Sequence, residues 1–240
     1  MMRIKYLKSP NYTAFKNRRN IQSIVIHYTG MRSLQSAVER LLSKKYEVSS
    51  HYLIGRTGKV LQLVKDNNIA WHAGISNWFG FKNLNKNSIG IELENKGHQY
   101  GYQYFPSKQI IQLIKILKIL KKKFKIQNTN IIGHSDIAPN RKIDPGEKFP
   151  WKKLYKNDLA LWHSLDEKFI NNFRLKKLIN VKQKNMLKMI KKLGYSGVLA
   201  GGHLDKDFIK AFQRRHRQQL INGIFDQECY LILNNLQKFI

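Results

Sequence analysis

The chain has 240 residues, 42% hydrophobic and 25% charged, with only 15 Gly and 5 Pro. This excludes a disordered, collagen-like or low-complexity architecture and leaves room for one large or two smaller globular domains. The net charge of +29 would attract a polyanion, but 33 of the 44 cations are Lys in an Ile- and Asn-rich chain, a compositional bias unlike the Arg-led pattern of nucleic-acid readers.

The first twelve residues, MMRIKYLKSPNY, lack the apolar run of a signal peptide or a membrane span. Residues 21–27 (IQSIVIH) form a β-branched run of strand length that Tyr28-Thr29-Gly30 ends, so His27 is expected at a strand exit. A helix is predicted over 33–45, with Leu34, Ala37, Val38, Leu41 and Leu42 on one face. Residues 50–54 and 59–64 read as a hairpin around Gly55-Arg56-Thr57-Gly58. The stretch 66–87 has no period and reads as a functional loop; it contains Trp71-His72-Ala73-Gly74.

Residues 88–94 (SIGIELE) return to strand composition, with Gly90, Glu92 and Glu94 on one face. Ser107 is the expected N-cap of a helix reaching about Phe124, in which Lys115 and Lys118 mark a solvated face. A short strand is expected over 130–133 and irregular structure over 134–150. Three amphipathic helices follow at 181–193, 205–218 and 226–239, with Asp205 and Asp226 as caps and Cys229, the only cysteine, buried. The fold class expected is α/β, a mixed central sheet flanked by helices, with a small C-terminal three-helix domain. The expected boundaries are 1–165, a linker at 166–178, and 179–240.

One cysteine permits neither an intramolecular disulfide nor a Cys-based zinc cluster, so a hydrolytic zinc would need three ligands from His, Asp and Glu. His27, His134 and Asp144 are candidates, each at a strand exit or in a loop. Spacing alone favours the plainer reading, a core histidine at His27 and a turn aspartate before Pro145-Gly146.

Six motifs resolve the choice: IVIH at 24–27, SHYLI at 50–54 with GKV at 58–60, AWHAG at 70–74, SIGIELE at 88–94, GHSDIAP at 133–139 and RKIDPG at 141–146. In this order the sequence resembles the zinc-dependent N-acetylmuramoyl-L-alanine amidases of the amidase-2 and peptidoglycan-recognition superfamily. The resemblance implies Zn2+ held by His27, His134 and Asp144, Glu92 as general base, and Lys142 stabilising the charged intermediate. Trp71 is expected on the substrate side, His72 either there or behind the ligands, with an ordinary packing role beside Trp71 as the alternative; Glu94 is expected as a structural partner and His51 as a structural histidine. LKMIKKLGY at 187–195, DFIKAFQRRH at 207–216 and NGIFD at 222–226 resemble a three-helix peptidoglycan-binding domain, with VLAGGH at 198–203 departing from its usual loop.

The implied activity is hydrolysis of the amide between N-acetylmuramic acid and L-alanine in peptidoglycan or muropeptides. The alternatives are a non-catalytic peptidoglycan-recognition protein, expected to have lost zinc ligands, and a basic nucleic-acid-binding protein. Neither a nucleic-acid partner, an obligatory protein partner nor a transmembrane segment is expected. The expected location is the cell envelope (periplasm), from the two-domain pattern, with the cytoplasm as the alternative because no signal peptide is visible.

Overall fold

A computed structural model describes residues 3–196 and 198–240. Six strands form the main sheet: β1 (Ile4–Tyr6), β2 (Ser23–Tyr28), β3 (Tyr52–Ile54), β4 (Val60–Gln62), β5 (Ser88–Leu93) and β6 (Ile131–Gly133). Their spatial order is β1, β4, β3, β5, β2, β6, and every neighbouring pair is parallel except the β3–β4 hairpin. The α/β fold with a mixed sheet is therefore the one expected from the sequence.

Alternation along β2 and β5 sends Ile24, Ile26, Ile89, Ile91 and Leu93 to one face. Two helices cover the sheet: α1 (Leu34–Leu42) packs Ala37 and Leu41 against Leu53 and Leu61. α2 (Ser107–Phe124) covers the isoleucine face with a stripe of Ile110, Leu113, Ile116, Leu117 and Leu120. Lys115, Lys118 and Lys122 project to solvent on the far side of α2. Ser107 is not the cap expected of it. It is the first helical residue, and Pro106, extended at φ −62° and ψ 148°, occupies the N-cap position without a side-chain bond.

The segment 134–150, expected to be irregular, opens with a single turn, α3 (His134–Ile137), and α4 (Trp151–Tyr155) follows it. The remaining helices are α5 (Glu167–Asn171), α6 (Gln183–Lys192), α7 (Lys206–His216) and α8 (Gln227–Leu236), with Asp205 and Asp226 capping the last two as expected. Their core is not closed on itself. Met186, Ile190, Phe208, Phe212 and Ile232 share one buried cluster with Val25, Trp78, Ile132, Ile137 and Leu161. The stretch 166–178 is ordered as well: Asp166 caps α5, Ile170 is buried, and Arg174 pairs with Glu228 at 2.7 Å. Composition changes near residue 165, whereas side-chain packing runs straight across it.

A buried polar contact joins the same two parts. Asp136 in α3 accepts hydrogen bonds from Gly133 N (2.8 Å), Tyr195 Oη (2.8 Å) and Arg215 Nη1 (2.5 Å). Arg215 also donates to Ile131 O at 3.0 Å and lies 4.4 Å above the Trp151 ring. Removing one partner of a buried ion pair strands the other charge, at a cost of about 3–5 kcal/mol. Arg215→Met is therefore expected to lower stability by about that amount in urea unfolding. Tryptophan fluorescence and circular dichroism should report one coincident transition, and two separated transitions would show that the parts fold independently.

Candidate active site

His27, in β2, is the register partner of Glu92 in β5, and paired residues of parallel strands leave the sheet on the same face. Gly133 pairs with Ile26, so His134 starts α3 at the level of His27. The loop after α3 returns Asp144 to this point, where its carbonyl accepts from Ser135 N at 2.9 Å. The return is close. A Cβ on Gly133 would lie 2.7 Å from Pro145 Cδ, so only glycine lets the loop approach β6 so nearly.

His27 Nδ1 lies 2.9 Å from His134 Nδ1, and Asp144 Oδ2 lies 3.1 Å and 3.2 Å from those two nitrogens. All three residues are buried. His134 Nε2 faces Ala73 O at 3.1 Å; a carbonyl only accepts, so this nitrogen carries the proton and Nδ1 is left bare. Burial, reinforced by His134, lowers the His27 pKa to about 4, which keeps the ring neutral at pH 7. Burial would raise Asp144, but its contacts with His134 and His27 outweigh that and hold it below the usual carboxylate range. Two imidazoles and a carboxylate, with ligand atoms all within 4.8 Å of one another, are a donor set that fits Zn2+.

The cluster opens into a cavity of about 400 Å³ whose walls include Trp71, Glu92, Tyr100, Arg141 and Lys142. Among the described residues, Glu92 Oε2 is buried without a hydrogen-bond partner. Burial, then the Asp144 charge, raises its pKa to about 8, with Lys142 opposing. The five polar residues expected to carry the chemistry, His27, Glu92, His134, Lys142 and Asp144, thus line one cavity.

Trp71 and His72 also reach this cavity. Trp71 is held by an Nε1 bond to Thr13 Oγ1 at 3.0 Å. His72, expected to face substrate or to lie behind the ligands, has both ring nitrogens against protein atoms: Nδ1 is 3.0 Å from His27 Nε2, and Nε2 is 3.2 Å from Ser88 Oγ. His51 is built into the sheet, its Nδ1 accepting from Gly90 N at 3.0 Å, and Glu94 Oε2 accepts from Arg56 N at 2.7 Å.

Arg19 and Asn85 are structural determinants of the site that sequence reasoning missed. Buried Arg19 donates to the carbonyls of Asp66 (2.9 Å), Asn85 (2.8 Å) and Ser88 (2.8 Å). Asn85 Oδ1 in turn accepts from His72 N (3.0 Å) and Ala73 N (2.7 Å). Together they shape the aperiodic loop that carries Trp71 and His72.

A sequence profile of the N-acetylmuramoyl-L-alanine amidase family (Amidase_2) matches residues 17–147. The N-acetylmuramoyl-L-alanine amidase AmiD of Escherichia coli K12 is 36% identical over 231 residues, covering 90% of this chain and 82% of that protein. The 1,6-anhydro-N-acetylmuramyl-L-alanine amidase AmpD of Haemophilus influenzae is 34% identical over 167 residues, 62% of this chain and 89% of its own length. Among solved structures, E. coli AmiD in complex with anhydro-N-acetylmuramic acid-L-Ala-D-gamma-Glu-L-Lys superposes with a TM-score of 0.77 at 33% identity, covering 94% of this chain and 92% of AmiD. AmpDh3 of Pseudomonas aeruginosa with an anhydromuramic pentapeptide gives 0.78 at 28% identity, covering 94% of each chain.

Truncating Arg19 would leave several loop carbonyls without a buried donor, each costing about 1–3 kcal/mol. Arg19→Met is expected to raise amide hydrogen exchange across residues 66–88 while the amides of α2 stay protected. Unchanged exchange in the loop would show that other contacts hold it.

Proposed function

The chain belongs to the N-acetylmuramoyl-L-alanine amidase family, and on that premise we propose that it hydrolyses the amide joining the lactyl group of N-acetylmuramic acid to L-alanine, with Zn2+ held by His27, His134 and Asp144. The observation that carries this reading is the meeting of two imidazole nitrogens and a carboxylate oxygen beside the unpaired, buried Glu92 oxygen in one cavity. Bound there, zinc supplies Lewis acidity toward the amide carbonyl and makes water a stronger acid.

Glu92 takes a proton from the water that attacks the carbonyl carbon. As the C–N bond breaks, it returns that proton to the departing L-alanine nitrogen, so the carboxyl starts and ends the cycle in one state. Burial raises the Glu92 pKa, so the carboxyl holds its proton at neutral pH until a nearby cation draws it back toward ionisation; once ionised, it is a better acceptor than a solvent-exposed carboxylate. Lys142 supplies a positive charge within the cavity for the oxygen that becomes anionic as the carbonyl is attacked. Trp71 offers an aromatic wall to the substrate.

The anhydromuropeptides bound by AmiD and AmpDh3 support a muramyl-peptide substrate. The AmiD match extends over the C-terminal helices, and the reading of α6 to α8 as a peptidoglycan-binding element rests on the resemblance of LKMIKKLGY, DFIKAFQRRH and NGIFD.

Asp144→Ala is expected to lose zinc and activity together; elemental analysis finding full zinc occupancy would remove Asp144 from the ligand set. Glu92→Gln should keep zinc and fold while turnover falls about 10²-fold or more. Lys142→Ala should lose turnover on the order of 10²-fold through the oxyanion. Turnover is read by mass spectrometry of the released peptide, and a near-unchanged rate in either variant sinks that residue's role.

A further inference from the structure

A chain of hydrogen bonds leads from His27 away from the cavity and into the fold, and its direction can be worked out from its far end. The Ser88 hydroxyl is within bonding distance of Leu84 O, which can only accept, so the single hydroxyl proton goes there. Ser88 Oγ can then only accept from His72 Nε2, 3.2 Å away, which places the His72 proton on Nε2. A neutral imidazole has one N–H, so His72 Nδ1 is an acceptor, and the atom facing it at 3.0 Å, His27 Nε2, must donate. The His27 proton is thereby assigned to Nε2, and its Nδ1 faces His134 Nδ1 and Asp144 Oδ2 as a bare lone pair.

The seat for this chain is made by a missing side chain. The His72 ring lies on β5 at Gly90, where a Cβ would stand 2.6 Å from its Cδ2 and 2.7 Å from its Nδ1. Asn85 Oδ1 fixes the backbone on either side by accepting from His72 N and Ala73 N.

We propose that His72, oriented by Ser88, is the positioning residue that sets the His27 tautomer and so presents Nδ1 as a metal ligand. Without this arrangement His27 could carry its proton on Nδ1 and donate it to His134 or Asp144, an arrangement that consumes the lone pair a cation needs. This inference rests on the metal reading above. It involves no change in net protonation, only the placement of one proton on a neutral ring. Groups that orient a ligating histidine through its second nitrogen contribute about 10- to 100-fold in metal affinity.

The test uses the full chain and zinc alone, with affinity measured by competition against a chromogenic chelator and His27 tautomers read by long-range ¹H–¹⁵N NMR of the metal-free protein. Wild type should show the Nε2–H form of His27. His72→Phe should bind zinc about 10- to 100-fold more weakly and give mixed His27 tautomers. His72→Asn keeps an acceptor at the Nδ1 position and should recover most of the affinity. Ser88→Ala frees His72 to reverse its proton and should shift the His27 tautomer without removing any imidazole, which keeps the test available should His72→Phe fail to fold. Wild-type zinc affinity and an unchanged His27 tautomer in both Ser88→Ala and a folded His72 variant would overturn the proposal. Wild type that binds no zinc overturns the underlying metal reading instead.

Discussion

The site depends first on the pairing of β2 with β5. The two strands are parallel and in register from Ser23 opposite Ser88 to Tyr28 opposite Leu93, so residues of equal rank share a face. One face then takes the isoleucines that pack on α2, and the other takes Val25 with Gly90 and His27 with Glu92. A slip of one residue would set Ile91 beside His27 and turn Glu92 into the apolar layer under α2, a cost that the packing of that layer makes prohibitive. Hydrophobic burial on one side of the sheet thus fixes the positions of two chemical groups on the other.

The same pairing explains why a glycine stands in the middle of a buried strand. Gly90 precedes Glu92 by two residues on the same face, and the space where its side chain would be is filled by the His72 ring. His51, two residues before Leu53 on the neighbouring strand, accepts from the Gly90 amide and comes within a centroid distance of 5.7 Å of the His72 ring. The histidines surrounding this site differ in what fixes them. His51 and His72 are held by backbone and hydroxyl groups within the fold, whereas His27 and His134 each turn one nitrogen toward the cluster that meets the cavity.

Much of this was legible in the sequence because the relevant signals are local. The β-branched run ending in His27 and the alternation that puts Glu92 on the face opposite its isoleucines need only a period of two. The roles of His134, Lys142 and Asp144 came from the family resemblance, since nothing in their spacing separates a ligand from a turn residue. Arg19 was hidden because it is one cation among 44, and its burial depends on carbonyls some fifty to seventy positions away. The inward turn of His72 depends on empty space at Gly90, which no pattern in residues 66–87 records. Ser107 misled because a serine beside an apolar run is a common cap, while the extended backbone at Pro106 had already taken that position.

The relation between the C-terminal helices and the sheet was illegible for a more general reason. An amphipathic stripe states that a helix buries one face and is silent about what covers it. In α6, α7 and α8 the stripe is covered partly by the neighbouring helices and partly by Trp78, Ile132, Ile137 and Leu161. A module on a flexible tether raises the local concentration of an enzyme on a polymer whatever its orientation; one that shares a core with the catalytic sheet has a fixed orientation. Any polymer held by these helices would therefore meet the cleft from one direction. The fixed contact also reaches α3, where Asp136 bonds to the amide of Gly133, the residue before His134, and to Arg215 and Tyr195 of the C-terminal segment. Detaching the segment would leave that carboxylate short of two of its three partners at the foot of the turn that carries His134, which links the packing of the helical part to the position of a residue in the site.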